Sequence, residues 1–76
     1  MNPQRLILER LALSHPHMTA EAVLWSELTS MGYKLSLTDL RQHVKALESK
    51  NQAIVIATED FTRIKITADG LARLAE

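Results

Sequence analysis

Ser36-Leu37-Thr38-Asp39-Leu40-Arg41-Gln42-His43-Val44-Lys45-Ala46-Leu47-Glu48-Ser49-Lys50-Asn51-Gln52-Ala53-Ile54-Val55-Ile56 is the stretch in which the period of the chain changes. Leu37, Leu40, Val44 and Leu47 fall at i, i+3, i+7 and i+10, one apolar stripe along a helix. Ser36 and Asp39 have the spacing of a capping box, Ser at the cap and an acid three residues on. The spacing therefore predicts a helix over 36–50. Asn51, which tolerates the left-handed conformation, closes it. From Ala53 the period falls to 2 and β-branched residues take over, so a strand follows.

Working outward, a second strand holds Phe61, Thr62, Ile64 and Ile66, and a hairpin turn falls at Glu59-Asp60. That turn lacks the Asn-Gly or Asp-Gly pair that would fix its type. Thr67 is placed to cap a short last helix, with Asp69 in its first turn and Leu71, Ala72, Leu74 and Ala75 inward. Gly70 should weaken that helix. Toward the N-terminus, Asn2-Pro3 reads as a cap and first-turn pair for a helix carrying Leu6, Ile7, Arg10, Leu11 and Leu13. Ser14-His15-Pro16-His17 breaks it, since proline pushes its predecessor out of the helical region. Thr19 is the expected cap of a second helix, with Glu21 in the first turn and Ala20, Val23, Leu24, Leu28 and Met31 on one face, ending at Gly32. Tyr33-Lys34-Leu35 is expected to be briefly extended.

Seventy-six residues suffice for one small domain, 1–76, with a single core. There is no cysteine, which excludes a disulfide framework and thiolate chemistry. No apolar run approaches a membrane span and no signal-peptide layout is present, so a cytoplasmic setting without membrane contact is expected. His15, His17 and His43 lack a third ligand at suitable spacing, and no catalytic set of side chains is recognisable. The expectation is a non-enzyme without metal or cofactor.

Three helices and a hairpin have few ways to share a core this small. An α+β fold follows, with a three-helix core, a β-hairpin and a short C-terminal helix. In this order the chain resembles the winged helix-turn-helix family. The resemblance is carried by Met31-Gly32-Tyr33-Lys34-Leu35-Ser36 as the joint before a recognition helix, by Leu47 to Val55 as the exit into a wing strand, and by Ile66-Thr67-Ala68-Asp69-Gly70-Leu71 as the approach to the closing helix. Shortness and the runs Arg5-Leu6-Ile7-Leu8 and Leu40-Arg41 are similar to small phage-encoded regulators of the kind found in Mu-like prophages.

The resemblance implies a DNA-binding transcriptional regulator that reads the major groove of double-stranded DNA with helix 36–50, as a homodimer. Projected at 100° per residue, the outward arc of that helix holds Thr38, Arg41, Gln42, Lys45 and Ser49. Arg can grip guanine, Gln can pair with adenine, Thr can touch a thymine methyl and Lys can neutralise a phosphate. Ser36, Lys34, Arg63 and Lys65 complete the candidate DNA-binding set. Charge gives partial support. Nine Lys plus Arg balance nine Asp plus Glu. Residues 36–51 carry a net single positive charge and residues 19–35 a net single negative one. Glu59 and Asp60 at the hairpin tip would repel phosphates, which favours an alternative: a protein–protein interaction module on the same fold, using the apolar flank of the first helix and Trp25.

Overall fold

The computed structural model describes residues 3–76, and the cap expected at Asn2 lies outside the described residues. Among the described residues the fold is α+β, with four helices and a three-stranded antiparallel sheet. The elements run α1 (Pro3–Ser14), β1 (Thr19–Ala20), α2 (Glu21–Ser30), α3 (Leu37–Ser49), β2 (Ala53–Ala57), β3 (Thr62–Ile66) and α4 (Ala68–Ala75). The sheet order is β1-β3-β2.

The apolar stripe of α3 does what its spacing requires. Leu40, Val44 and Leu47 are buried and join Ile7, Leu8 and Leu11 of α1, Leu24 and Leu28 of α2, and Ala53, Ile64 and Ile66 of the sheet in one core. Strand alternation supplies the sheet's share. Ile64 and Ile66 face the helices, while Arg63 and Lys65 fall on the other face.

The exits of α2 and α3 are each completed by a left-handed residue. After α2, Gly32 has φ 94°, the Tyr33 amide donates to the Leu28 carbonyl at 3.2 Å and the Gly32 amide to Thr29 at 3.1 Å. After α3, Asn51 has φ 60°, the Gln52 amide donates to Leu47 at 2.9 Å and the Asn51 amide to Glu48 at 3.0 Å. These are two Schellman closures, one on glycine and one on asparagine. Asn51 is the one non-glycine residue at positive φ among the described residues. The Glu59-Asp60 turn is therefore not type I′, which would need positive φ at both central residues.

Local propensity is overruled at three places. Thr19 does not cap α2: Thr19 and Ala20 pair with Ile64 and Arg63 as β1, and α2 starts after Ala20 without a side-chain cap. An edge of β3 would otherwise stay unpaired, and main-chain pairing there outweighs one cap. The third strand is therefore β1, while Tyr33–Leu35 is irregular and holds Leu35 partly buried against the core. Val23, Met31, Ala72 and Ala75 are exposed although their spacing suggested inward positions, and the inward side of α2 narrows to Leu24 and Leu28.

Gly70 is more than a weak helix residue. It is buried, and a Cβ built there would lie 2.3 Å from the Gln52 carbonyl oxygen and 2.6 Å from Ile66 Cγ1. The absence of a side chain lets α4 close onto the start of β2. Gly70→Ala is expected to destabilise the fold by about 1–3 kcal/mol, overpacking outweighing the helix-propensity gain of about 1 kcal/mol. Urea denaturation checks the sign, and a stabilised variant would refute this account of the contact.

Candidate nucleic-acid interface

The site is built from α3, which is held at both ends. At its N-terminus Ser36 Oγ accepts from the Asp39 amide at 3.0 Å and the Asp39 carboxylate accepts from the Ser36 amide at 3.3 Å, a complete capping box. At its C-terminus the Asn51 closure leads directly into β2. With the buried stripe fixing the roll of the helix, Thr38, Arg41, Gln42, Lys45 and Ser49 are all exposed. Five polar side chains thus share one open surface.

Arg41 is not free on that surface. Its Nε donates to Glu21 Oε1 and Oε2 at 3.2 and 3.1 Å, and its Nη2 to Oε1 at 3.0 Å. The Glu21 side chain is only 14% exposed and that of Arg41 is 59% exposed, so the guanidinium lies over the acid like a lid. The hydrogen bonds, then the charge of Glu21, raise the Arg41 pKa above its ordinary value. One edge of the guanidinium is occupied; the Nη1 end points away from Glu21 and makes no hydrogen bond among the described residues. The α2–α3 pairing is therefore electrostatic at its rim and apolar beneath.

The remaining candidates are dispersed. Lys34 sits on the connection before α3, exposed, beside an apolar groove of about 170 Å³ lined by Pro3, Leu6, Ile7, Leu28, Tyr33 and Leu35. Arg63 and Lys65 lie on the sheet face turned away from α3, and Arg63 stacks 4.3 Å above the Phe61 ring. They do not join the α3 surface. Arg10 pairs with Glu27 and Arg5 with Glu9, so the cations of α1 are partly offset by acids of the same surface. Trp25 is tied down by its Nε1 donating to the Leu35 carbonyl at 2.8 Å.

Between the start of α2, α3 and the hairpin turn lies a cleft of about 430 Å³ whose lining includes Glu21, Leu37, Arg41, Glu59, Asp60 and Phe61. Neither this cleft nor the Glu21–Arg41 pair is visible in the sequence, where the two residues stand twenty apart. An acid in the first turn of a helix signals only the helix dipole. No helix among the described residues is long and apolar enough to cross a membrane. No protein-family model matches the chain, and no curated protein is significantly similar to it.

Replacement of Ser36 by alanine removes the cap on which the start of α3 depends. Ser36→Ala should cost about 1 kcal/mol of stability, read from chemical denaturation. A variant as stable as the parent would show that the box contributes nothing to holding α3.

Proposed function

We propose that the chain is a winged helix-turn-helix DNA-binding regulator, similar to small phage-encoded ones, with α3 as the helix that enters the major groove. The observation that carries the reading is the exposed α3 surface, with Thr38, Arg41 and Gln42 in the first turns and Lys45 one turn on. A helix-turn-helix protein contacts base edges with the N-terminal part of its second helix. The order of elements, with α2 and α3 joined through Gly32 and Ser36 and a hairpin following α3, is compatible with that family.

On this reading Glu21 is a positioning residue. It occupies Nε and part of Nη2 of Arg41, which leaves the Nη1/Nη2 end to form a fork toward guanine O6 and N7. The guanidinium arrives already oriented, so less rotamer freedom is lost on contact. The same acid lowers the net charge that phosphates meet, which reduces affinity for any duplex. Gln42 takes an adenine edge, and Lys45 neutralises a phosphate. Arg63 and Lys65 fall on the far face of the hairpin, so they are left out of the groove contact.

The acids at the hairpin tip favour a second reading. Glu59 and Asp60 border the cleft beside Arg41, where they oppose a phosphate backbone and suit a basic segment of another protein. Fluorescence anisotropy with random-sequence and selected duplexes separates the two readings. Binding that weakens steeply with salt supports DNA recognition. No binding to any duplex at tens of micromolar protein in low salt would overturn it. Within the DNA reading, Lys45→Ala should weaken all sequences alike and reduce the log–log salt slope by about 0.9. Gln42→Ala should relax base preference at one position. Glu21→Ala should raise affinity for random duplex while lowering discrimination between sequences.

A further inference from the structure

Arg5, Lys50 and Arg73 stand far apart in the sequence, yet with Gln4, Gln52 and Leu8 they line one small depression of about 30 Å³ where α1, the end of α3 and α4 meet. Three of the chain's nine Lys and Arg residues are thus gathered at one place, and no acid among the described residues lines it. Like charges drawn together repel, so the depression is a local maximum of positive potential.

Each cation is tethered by a contact of its own. Arg5 pairs with Glu9, Nε to Oε1 at 3.4 Å, and its Nη2 donates to the Leu74 carbonyl at 3.3 Å. Lys50 Nζ donates to Gln4 Oε1 at 2.8 Å, which joins the end of α3 to the first turn of α1. Arg73 Nη1 donates to Glu76 Oε2 at 3.0 Å. These contacts orient Lys50 and Arg73 without exhausting them, because an ammonium has three donors and a guanidinium five. With its Oε1 engaged by Lys50, Gln4 meets a ligand through its amide hydrogens, and Gln52 supplies a second carboxamide. The side chains of Glu9 and Glu76 are 52% and 69% exposed, so their pairings are surface ones, weak and open to competition.

Helix dipoles account for part of this placement. Lys50 is the C-cap of α3 and Arg73 lies in the last turn of α4, where a cation is favoured. They do not account for the convergence of both on Arg5 and two carboxamides over the buried side chain of Leu8. A ring of donors on an apolar floor is complementary to an anion with several acceptor oxygens. Guanidinium forks match a tetrahedral oxyanion, and the ammonium adds a point charge.

From these observations we infer that the depression is a binding site for a phosphate group. Its volume sets the size of what enters: a single water needs about 10–15 Å³, so about 30 Å³ seats the oxygens of one phosphoryl group and little more. The bound group bridges α1, the end of α3 and α4, and so stabilises the folded chain by mass action. The inference does not rest on the DNA-binding reading and stands or falls without it.

Two-dimensional proton–nitrogen NMR of the full chain, titrated with sodium phosphate at fixed pH, tests it, with sodium chloride at matched ionic strength as the reference. The amide signals of Gln4, Arg5, Lys50, Gln52 and Arg73 should shift together and saturate with one dissociation constant on the order of 1–10 mM. Lys50→Gln and Arg73→Gln should each raise that constant about fivefold in a chain that stays folded, the loss of one surface charge contact. Lys65→Gln removes the same charge from the far face of the sheet and should leave the constant unchanged. Shifts that sodium chloride reproduces, that never saturate, or that persist unchanged in both site variants would overturn the inference. A random-sequence duplex then identifies the source of the phosphate. Displacement of inorganic phosphate from these five residues assigns the site to a nucleic-acid phosphodiester, and a duplex that leaves them unmoved assigns it to free phosphate or a phosphomonoester.

Discussion

Burial of the Leu40–Val44–Leu47 stripe in the core that α3 shares with α1 and β2 is the contact on which the rest of the structure depends. It fixes the roll of α3 about its own axis. Because the helix has 3.6 residues per turn, fixing one side fixes the other, and Thr38, Gln42 and Lys45 are outward as a consequence. Fully burying such side chains contributes about 1.5–3 kcal/mol each, far more than any polar contact on the outer surface. The surface arrangement follows from the core and not the reverse.

The corner between α3 and β2 carries the same constraint to the other half of the fold. Asn51 turns the chain at positive φ, and its carbonyl accepts from Thr67 Oγ1 at 2.6 Å. The same Thr67 oxygen accepts from the Gly70 amide at 3.1 Å, so one hydroxyl joins the end of α3 to the start of α4. Asn51 Nδ2 donates to the Asp69 carboxylate at 2.9 Å. Gly70 then packs directly on the Gln52 carbonyl. The hairpin is thereby anchored at its base, and its tip, with Glu59 and Asp60, is the exposed end.

The Glu21–Arg41 pair lies where these packing decisions meet. Packing α2 and α3 on one core brings the first turn of one helix beside the second turn of the other. The carboxylate, largely covered, is satisfied by the more exposed guanidinium, which gains orientation and gives up part of its effective charge. Arg63 and Lys65 follow the sheet's alternation to the far face, so the positive charge of the chain is spread and not gathered on α3.

Much of the architecture was written in local sequence. The capping box at Ser36 and Asp39, the left-handed exits at Gly32 and Asn51, the cap at Thr67 and the change of period at Ala53 each act over three or four residues, so each could be read without knowing what lies across the molecule. Thr19 shows the opposite case: its local preference for a helix cap yields to the unpaired edge of β3, forty-five residues away at Ile64. Gly70 has the same lesson, since its worth lies in a carbonyl of another element. Ion pairing at Arg41, the two faces of the hairpin and the place of β2 at the end of the sheet were settled only when the chain closed on itself. Sequence determines what each segment prefers alone; the shared core decides which of those preferences survive and which side chains end up as neighbours.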